Sequence, residues 1–226
     1  MIFAAGFGSR MGVLTATRPK PLVPVAGRAL IDHAMQVADE AGITRRVVNL
    51  HYLGDQIAAH LGGRGVAFSW ERPSILETGG GLRAALPLLG PGPVLVLNSD
   101  AVWTGENPLS QLMAAWDGDR METLLLLLPQ GQARGHTGRG DFLIDAEGRL
   151  SRAAGAPGPV YLGALMMRTD DLHAIPDPAF SLNRHWDRAI ATRRAFGLIH
   201  RGGWCDVGRP EGIVEAEALL QQAGHV

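Results

Sequence analysis

An α/β fold on a mixed, mainly parallel sheet follows from three features of this 226-residue sequence. Short apolar blocks alternate with amphipathic stretches through the first half, which is the pattern of successive βαβ units. Glycines and basic residues crowd immediately behind the first apolar block. Two aspartates, Asp100 and Asp206, end later apolar blocks. In an open sheet of this class the site gathers at the carboxyl ends of the strands.

"MIFAA" reads as a buried strand, and "RALIDHAMQVADEAG" as a helix from Arg28 that stops at Gly42. "RRVVNLH" is a strand, "LGDQIAAHLG" a helix and "VAFSW" a strand. "GGLRAALPLLG" gives the next helix, "GPVLVLNSD" a strand and "PLSQLMAAWDG" a helix. After "METLLLLLP" the rhythm changes, and "DFLIDAEGRLSRA" predicts a hairpin turning at Glu147-Gly148. "GPVYLGALMM" is a further strand, "SLNRHWDRAIATRRA" a helix, and "FGLIHRGG" and "WCDVG" are extended. "RPEGIVEAEALLQQAG" closes the chain as a helix, and the Gly/Arg-rich "LPQGQARGHTGRGD" is expected to be a mobile loop. No internal repeat or long linker divides the chain, so one domain is expected over residues 1–226.

Composition narrows the chemistry. With 19% charged residues and a net charge of −1, no global field draws the chain to nucleic acid or to a membrane surface. "TLLLLLP" is too short to span a bilayer, and the interrupted apolar start is not expected to act as a signal peptide. The single cysteine, Cys205, permits no internal disulfide, and the expected location is the cytoplasm. No coiled coil or other sign of a protein partner is evident. Of the 21 basic residues only Lys20 is a lysine. A compact ammonium is thus retained where arginine serves everywhere else.

"GFGSR" suits a turn whose amides form an anion nest, although two glycines after a strand are ordinarily just a turn. A dinucleotide fingerprint needs a third glycine where Met11 stands, and the lysine-hydroxyl ending of a P-loop is missing. A lone aspartate at a strand end is ordinarily a cap or turn residue. Two of them together with a phosphate loop favour a divalent metal, and Mg²⁺ binds through one or two carboxylates plus substrate phosphates. Cys205 is rejected as a nucleophile, because alternation turns it away if Asp206 faces the site. The histidines show no zinc spacing, and the arginines of "SLNRHWDRAIATRRA" read as a solvated helix face. "ETGGG" reads as a glycine-rich turn with Thr78 as a possible N-cap, its three glycines allowing something close approach to the backbone.

The block "GFGSRMGVLTATRPKPLVPVAGRALIDH" resembles the opening motif of the sugar-1-phosphate nucleotidyltransferases, with Val13 where that family usually has proline. "LETGGGLRAALPLLG", "NSDAVW", "GRGDF" and "WCDVGRP" continue the likeness along nearly the whole chain. Together "LETGGG", "GRGDF" and the terminal W-x-D-V-G most resemble the N-acetylmuramate 1-phosphate uridylyltransferase branch. The resemblance implies a Rossmann-like three-layer α/β/α fold with a nucleotide half over residues 1–120 and a sugar half over residues 121–226.

It also implies transfer of a nucleotidyl group from an NTP, UTP above all, to a sugar 1-phosphate, with pyrophosphate released. Ala5, Gly6, Gly8, Ser9, Arg10 and Lys20 would hold the triphosphate, and Asp100 and Asp206 would hold Mg²⁺. Thr78, Gly79 and Gly80 would lie against the base, with Glu77 either near base or sugar or a solvated charge. Gly140, Asp141, Tyr161 and Gly163 would line the sugar, although Tyr161 is on its own merits a core residue. Ser99 stands where many relatives have glycine, and its hydroxymethyl is expected to narrow the pocket. Related enzymes often use a second lysine at the sugar phosphate, and this chain has none. A mannose- or heptose-1-phosphate guanylyltransferase is the nearest alternative. A catalytically silent nucleotide-sugar-binding module is a different one, against which the joint presence of Arg10, Lys20, Asp100 and Asp206 counts.

Overall fold

A computed structural model describes residues 1–224. β1 (Ile2–Phe3) runs into the glycine loop, whose 3₁₀ turns cover Ser9–Thr15 and Lys20–Leu22. A hairpin of β2 (Pro24–Val25) and β3 (Arg28–Ala29) follows. Then come α1 (Leu30–Glu40), β4 (Arg46–Leu50), α2 (Gly54–His60), β5 (Val66–Trp70), α3 (Glu77–Leu89) and β6 (Val94–Asn98). The chain continues through β7 (Ala101–Gly105), α4 (Pro108–Ala115), β8 (Thr123–Leu128), β9 (Ala133–Arg134), β10 (Phe142–Ile144), β11 (Leu150–Arg152) and β12 (Val160–Met167). It ends with α5 (Asn183–Ala191), β13 (Ala195–Ile199), β14 (Gly202–Asp206) and α6 (Glu211–Gln222).

The main sheet has the order β13-β8-β12-β6-β1-β4-β5, and only β12 runs antiparallel to its neighbours. α1, α2 and α4 pack on one face and α3 and α5 on the other. The leucine run of β8 shows why both faces are dry. Leu124, Leu126 and Leu128 feed one core while Leu125 and Leu127 feed the other, so apolar residues are required at every position. The Rossmann-like three-layer expectation is borne out. Among the described residues no helix is long and apolar enough to cross a membrane.

The helix read from Arg28 starts at Leu30, because Ala26 (φ 49°) and Gly27 (φ 74°) make the two-residue hairpin turn that pairs β2 with β3. "AVWTG" forms β7, a strand the sequence reading passed over. It belongs to a second sheet, β7-β14-β9, and β9 arises inside the segment expected to be a mobile loop. "ETGGG" is not a turn before a helix but the first turn of α3 itself. The glycines are needed because β-carbons at Gly79, Gly80 and Gly81 would overlap the Phe180 ring, the Pro178 carbonyl and the Glu71 carboxylate. The cap position falls to Leu76, and the Thr78 hydroxyl instead accepts from the Leu182 amide at 2.9 Å.

Candidate active site

β1 and β6 lie side by side, and the loops leaving their carboxyl ends form walls of a cleft of about 300 Å³. One wall is the glycine loop. Gly8 adopts a left-handed conformation (φ 64°), and a β-carbon there would stand 2.8 Å from Lys20 Cβ. Glycine is required for both reasons. The Thr15 hydroxyl donates to the carbonyls of Gly8 (3.0 Å) and Gly12 (3.2 Å), closing the loop on itself. Met11 is buried in a small core with Leu30, Val102, Cys205 and Val207. That core draws on the loop, α1, β7, β14 and α6, so the loop and the strands beside both aspartates are packed together.

Asp100 lies in the bend between β6 and β7, and Asp206 ends β14. β14 runs antiparallel to β7 with Asp206 opposite Ala101, and the Val207 amide donates to the Asp100 carbonyl at 2.8 Å. The expectation that both aspartates end strands of one parallel sheet is therefore wrong for Asp206. A strand pair in the second sheet brings them together. Lys20, only 8% exposed, donates from Nζ to Asp100 Oδ2 at 2.6 Å. Burial, and after it the neighbouring Asp100 charge, lift Asp206 to about 6, against the lowering fields of Lys20, Arg10 and His136. A β-carbon on Gly208 would lie 2.6 Å from Asp206 Oδ2 and 3.3 Å from Arg10 Nη2, so glycine leaves both charged groups uncovered there.

Ala5, Gly6, Gly8, Ser9, Arg10, Lys20, Thr78 and Asp100 all line the cleft. Gly79 and Gly80 do not, and both of their amides donate to the Phe180 carbonyl (2.8 and 3.1 Å). Glu77 lines the cleft in a left-handed conformation (φ 59°), uncommon for a residue with a side chain. Ser99 also lines it, but its hydroxyl donates to the Phe3 carbonyl at 2.6 Å and is turned onto β1. Cys205 is fully buried, which pushes its thiol up to about 12, as suits a side chain turned from the site.

The four residues expected at the sugar stand outside the cleft wall. Gly140 (φ 122°) is pressed against the Gly158 carbonyl, and Asp141 Oδ2 accepts from the Tyr161 amide at 2.8 Å. Tyr161 packs its ring edge-on to Trp186 at 5.0 Å, and burial, with Asp100 and Asp141 as lesser causes, raises its phenol pKa. A β-carbon on Gly163 would fall 2.7 Å from the Asn98 side chain, and Asn98 does line the cleft.

Sequence reasoning missed Asn49 and Glu71, which form the cleft floor. Asn49 Oδ1 accepts from the Ala4 amide (2.8 Å), and its Nδ2 donates to Glu71 Oε1 (2.7 Å). Glu71 Oε2 accepts from the Leu76 amide at 2.6 Å, tying β1, β4, β5 and α3 together. The signal was available: both stand at carboxyl ends of parallel strands, where Asp100 was sought.

The chain matches the model of the MobA-like NTP transferase domain over residues 1–155. It belongs to that family. This NTP transferase is 40% identical to the N-acetylmuramate alpha-1-phosphate uridylyltransferase of Caulobacter vibrioides, over 99% of this chain and 97% of that one. It is 34% identical to the enzyme of that name from Neisseria meningitidis, over 97% and 96% of the two chains. Its fold resembles that of HddC from Yersinia pseudotuberculosis, solved in complex with GMP-PN, with a TM-score of 0.77, 20% identity and 96% of each chain covered. The nucleotidyltransferase resemblance of the sequence is borne out.

Proposed function

We propose that this NTP transferase joins UTP to N-acetylmuramate 1-phosphate, releasing pyrophosphate and forming the UDP-sugar. The choice of substrates is supported by the two relatives that align along nearly their whole length. The observation that carries nucleotidyl transfer is the pairing of Lys20 Nζ with Asp100 Oδ2, with Asp206 alongside, at the mouth of the glycine loop.

The reaction needs no general base. An oxygen of the sugar phosphate, already anionic, bonds to the α-phosphorus as the bond to the bridging oxygen of the leaving pyrophosphate breaks. Positioning and charge stabilisation then supply the catalysis. The amides of the glycine loop cradle the triphosphate, Arg10 neutralises the departing pyrophosphate and Lys20 meets the α-phosphate. Asp100 and Asp206 would hold Mg²⁺. The fit is supported by the donor set, two neighbouring carboxylates whose repulsion helps lift Asp206, as suits an ion held by one or two carboxylates plus substrate phosphates. Bound there, the ion supplies charge neutralisation at the phosphates. Cys205, buried and unpaired, suits a cytoplasmic enzyme.

The test is pyrophosphate release from a grid of NTPs and sugar 1-phosphates, with and without Mg²⁺. UTP with N-acetylmuramate 1-phosphate should give the highest kcat/KM and should require the metal. A better pair would replace the substrates proposed, and no release from any pair would support a binding module instead.

A further inference from the structure

The glycine loop carries Arg10 and Lys20, yet much of it lies outside the sheet, and Gly12 breaks its 3₁₀ turns with φ 58° and ψ −128°. Such a segment holds two cations in place only if something braces it from behind. The connection from β4 to α2 does so at both ends of the loop. At the start, Phe7 does not line the cleft; its ring stands edge-on to His51 (5.4 Å) and tilted against Tyr52 (5.7 Å). At the end, the Tyr52 hydroxyl lies within donor reach of the carbonyls of Thr15 (2.9 Å) and Ala16 (3.3 Å). Gln56 Nε2 donates to the Thr17 carbonyl at 3.0 Å.

These contacts reach Lys20 in two steps. Thr15, held by Tyr52, donates to the Gly8 carbonyl, and Gly8 packs against the Lys20 side chain. The same connection touches the cleft floor, since His51 Nδ1 lies 2.8 Å from the Glu71 carbonyl. Its geometry carries strain. Leu53, between Tyr52 and α2, sits at φ 49°, ψ 31°, a left-handed conformation that disfavours a side chain. Strain of this kind persists where the surroundings enforce it and clusters around functional sites. Gly54 is fixed as well, because a β-carbon there would stand 2.9 Å from Leu50 Cβ and 3.0 Å from the Trp70 ring.

We infer that Tyr52 and Gln56 are positioning residues for nucleotidyl transfer, a brace that fixes the glycine loop so that Arg10 and Lys20 meet the triphosphate in register. The inference rests on the function proposed above. Neither side chain lines the cleft; both act through the carbonyls of residues 15–17.

The test compares Tyr52→Phe, Gln56→Ala and the double variant with the parent, using Asp55→Ala, an exposed neighbour on α2, as the control. Tyr52→Phe keeps the ring against Phe7 and removes only the hydroxyl. Each single variant should lower kcat by about tenfold, short of the hundredfold that an ångström of misplacement costs. The KM for the sugar phosphate should stay within about twofold, since the brace touches only the loop proposed to hold the triphosphate. Amide exchange should quicken over residues 9–17 and remain unchanged in α1 and β6, with Asp55→Ala indistinguishable from the parent. Unchanged kcat in the double variant, or a kcat loss without faster exchange over residues 9–17, would overturn the brace. If the parent itself releases no pyrophosphate, the function fails instead. Exchange then still tests the brace, and unchanged exchange over residues 9–17 overturns it.

Discussion

Lys20 and Asp100, eighty positions apart in the chain, meet as a 2.6 Å ion pair at the cleft, with the lysine largely buried and the aspartate more open. Gly8 is pressed against the lysine stem. Arginine brings a wide planar fork where a narrow ammonium now fits. Lys20→Arg is therefore expected to lower turnover by about a hundredfold despite its equal charge, by comparison with the loss of other electrostatic groups. Steady-state pyrophosphate release measures this, and full activity would make the lone lysine incidental.

The two aspartates differ in what their removal asks of the fold. Asp206 ends β14, whereas Asp100 lies in the bend after β6 and its carboxylate partners the buried Lys20 ammonium, so the unfolding midpoint is read beside turnover. Asp100→Ala and Asp206→Ala should each reduce turnover by at least about a hundredfold. Removing Asp100 or its charge should also lower the Asp206 pKa, because Asp100 is one of the groups that raise it. NMR titration of the Asp206 carboxyl in Asp100→Asn reads this directly. Near-normal turnover in either alanine variant would remove both from the proposed metal site.

Much of this architecture was legible because period and chemistry agreed. The βαβ half announced itself through alternation, and Arg10, Lys20, Thr78 and Asp100 stood where strand ends and loops placed them on the cleft. What was hidden depended on contacts between distant segments. Nothing local in "AVWTG" says that it pairs with "GGWCD", yet that pairing sets Asp206 beside Asp100. Nothing in "ETGGG" reveals Phe180, about a hundred residues later, lying where the Gly79 side chain would be. The sequence reading assigned those glycines to close approach by a ligand, whereas a remote segment of the chain packs against Gly79 and Gly80.

Gly6 and Gly8 look alike in "GFGSR" but should fail differently. A β-carbon on Gly6 meets nothing within 4 Å, so Gly6→Ala should leave the unfolding midpoint nearly unchanged. It should still weaken NTP binding if phosphates approach the Gly6 backbone. Gly8→Ala forces a left-handed alanine against the Lys20 stem, with a stability cost of about 1–3 kcal/mol from strain and crowding. Thermal unfolding beside an NTP titration separates the two, and equal destabilisation by both substitutions would contradict the packing.

Gly79→Ala tests whether packing or ligand approach explains "ETGGG". The added methyl would overlap the Phe180 ring, whose backbone carbonyl already accepts from the Gly79 and Gly80 amides. Overpacking of this kind costs about 1–3 kcal/mol. The unfolding midpoint should fall in the protein without ligand, before any nucleotide is added. Retained stability with lost nucleotide binding would return these glycines to the base-contacting role read from the sequence.

His200 gives a pH signature that can be isolated by subtraction. It is 3% exposed, edge-on to Trp103 at 5.2 Å, and burial holds its pKa below the usual 6.5. The Gln111 amide is oriented by accepting from the Arg201 amide at its oxygen (3.0 Å), so its nitrogen donates to His200 Nδ1 (2.8 Å) and leaves that nitrogen unprotonated. Below pH 6.5 the unfolded chain takes up a proton that native His200 refuses. Stability from this group is thus complete above 6.5 and is lost as pH falls from there toward the depressed native value. Asp206, raised to about 6, acts in the opposite sense, since its native form gains a proton before the unfolded one does. That contribution is common to parent and variant. Replacing His200 with Gln removes packing and should destabilise the protein at pH 7.5, but the gap to the parent should narrow at pH 5.5. Chemical denaturation at the two pH values measures the gap, and a gap that widened on acidification would mean that native His200 is the more readily protonated form.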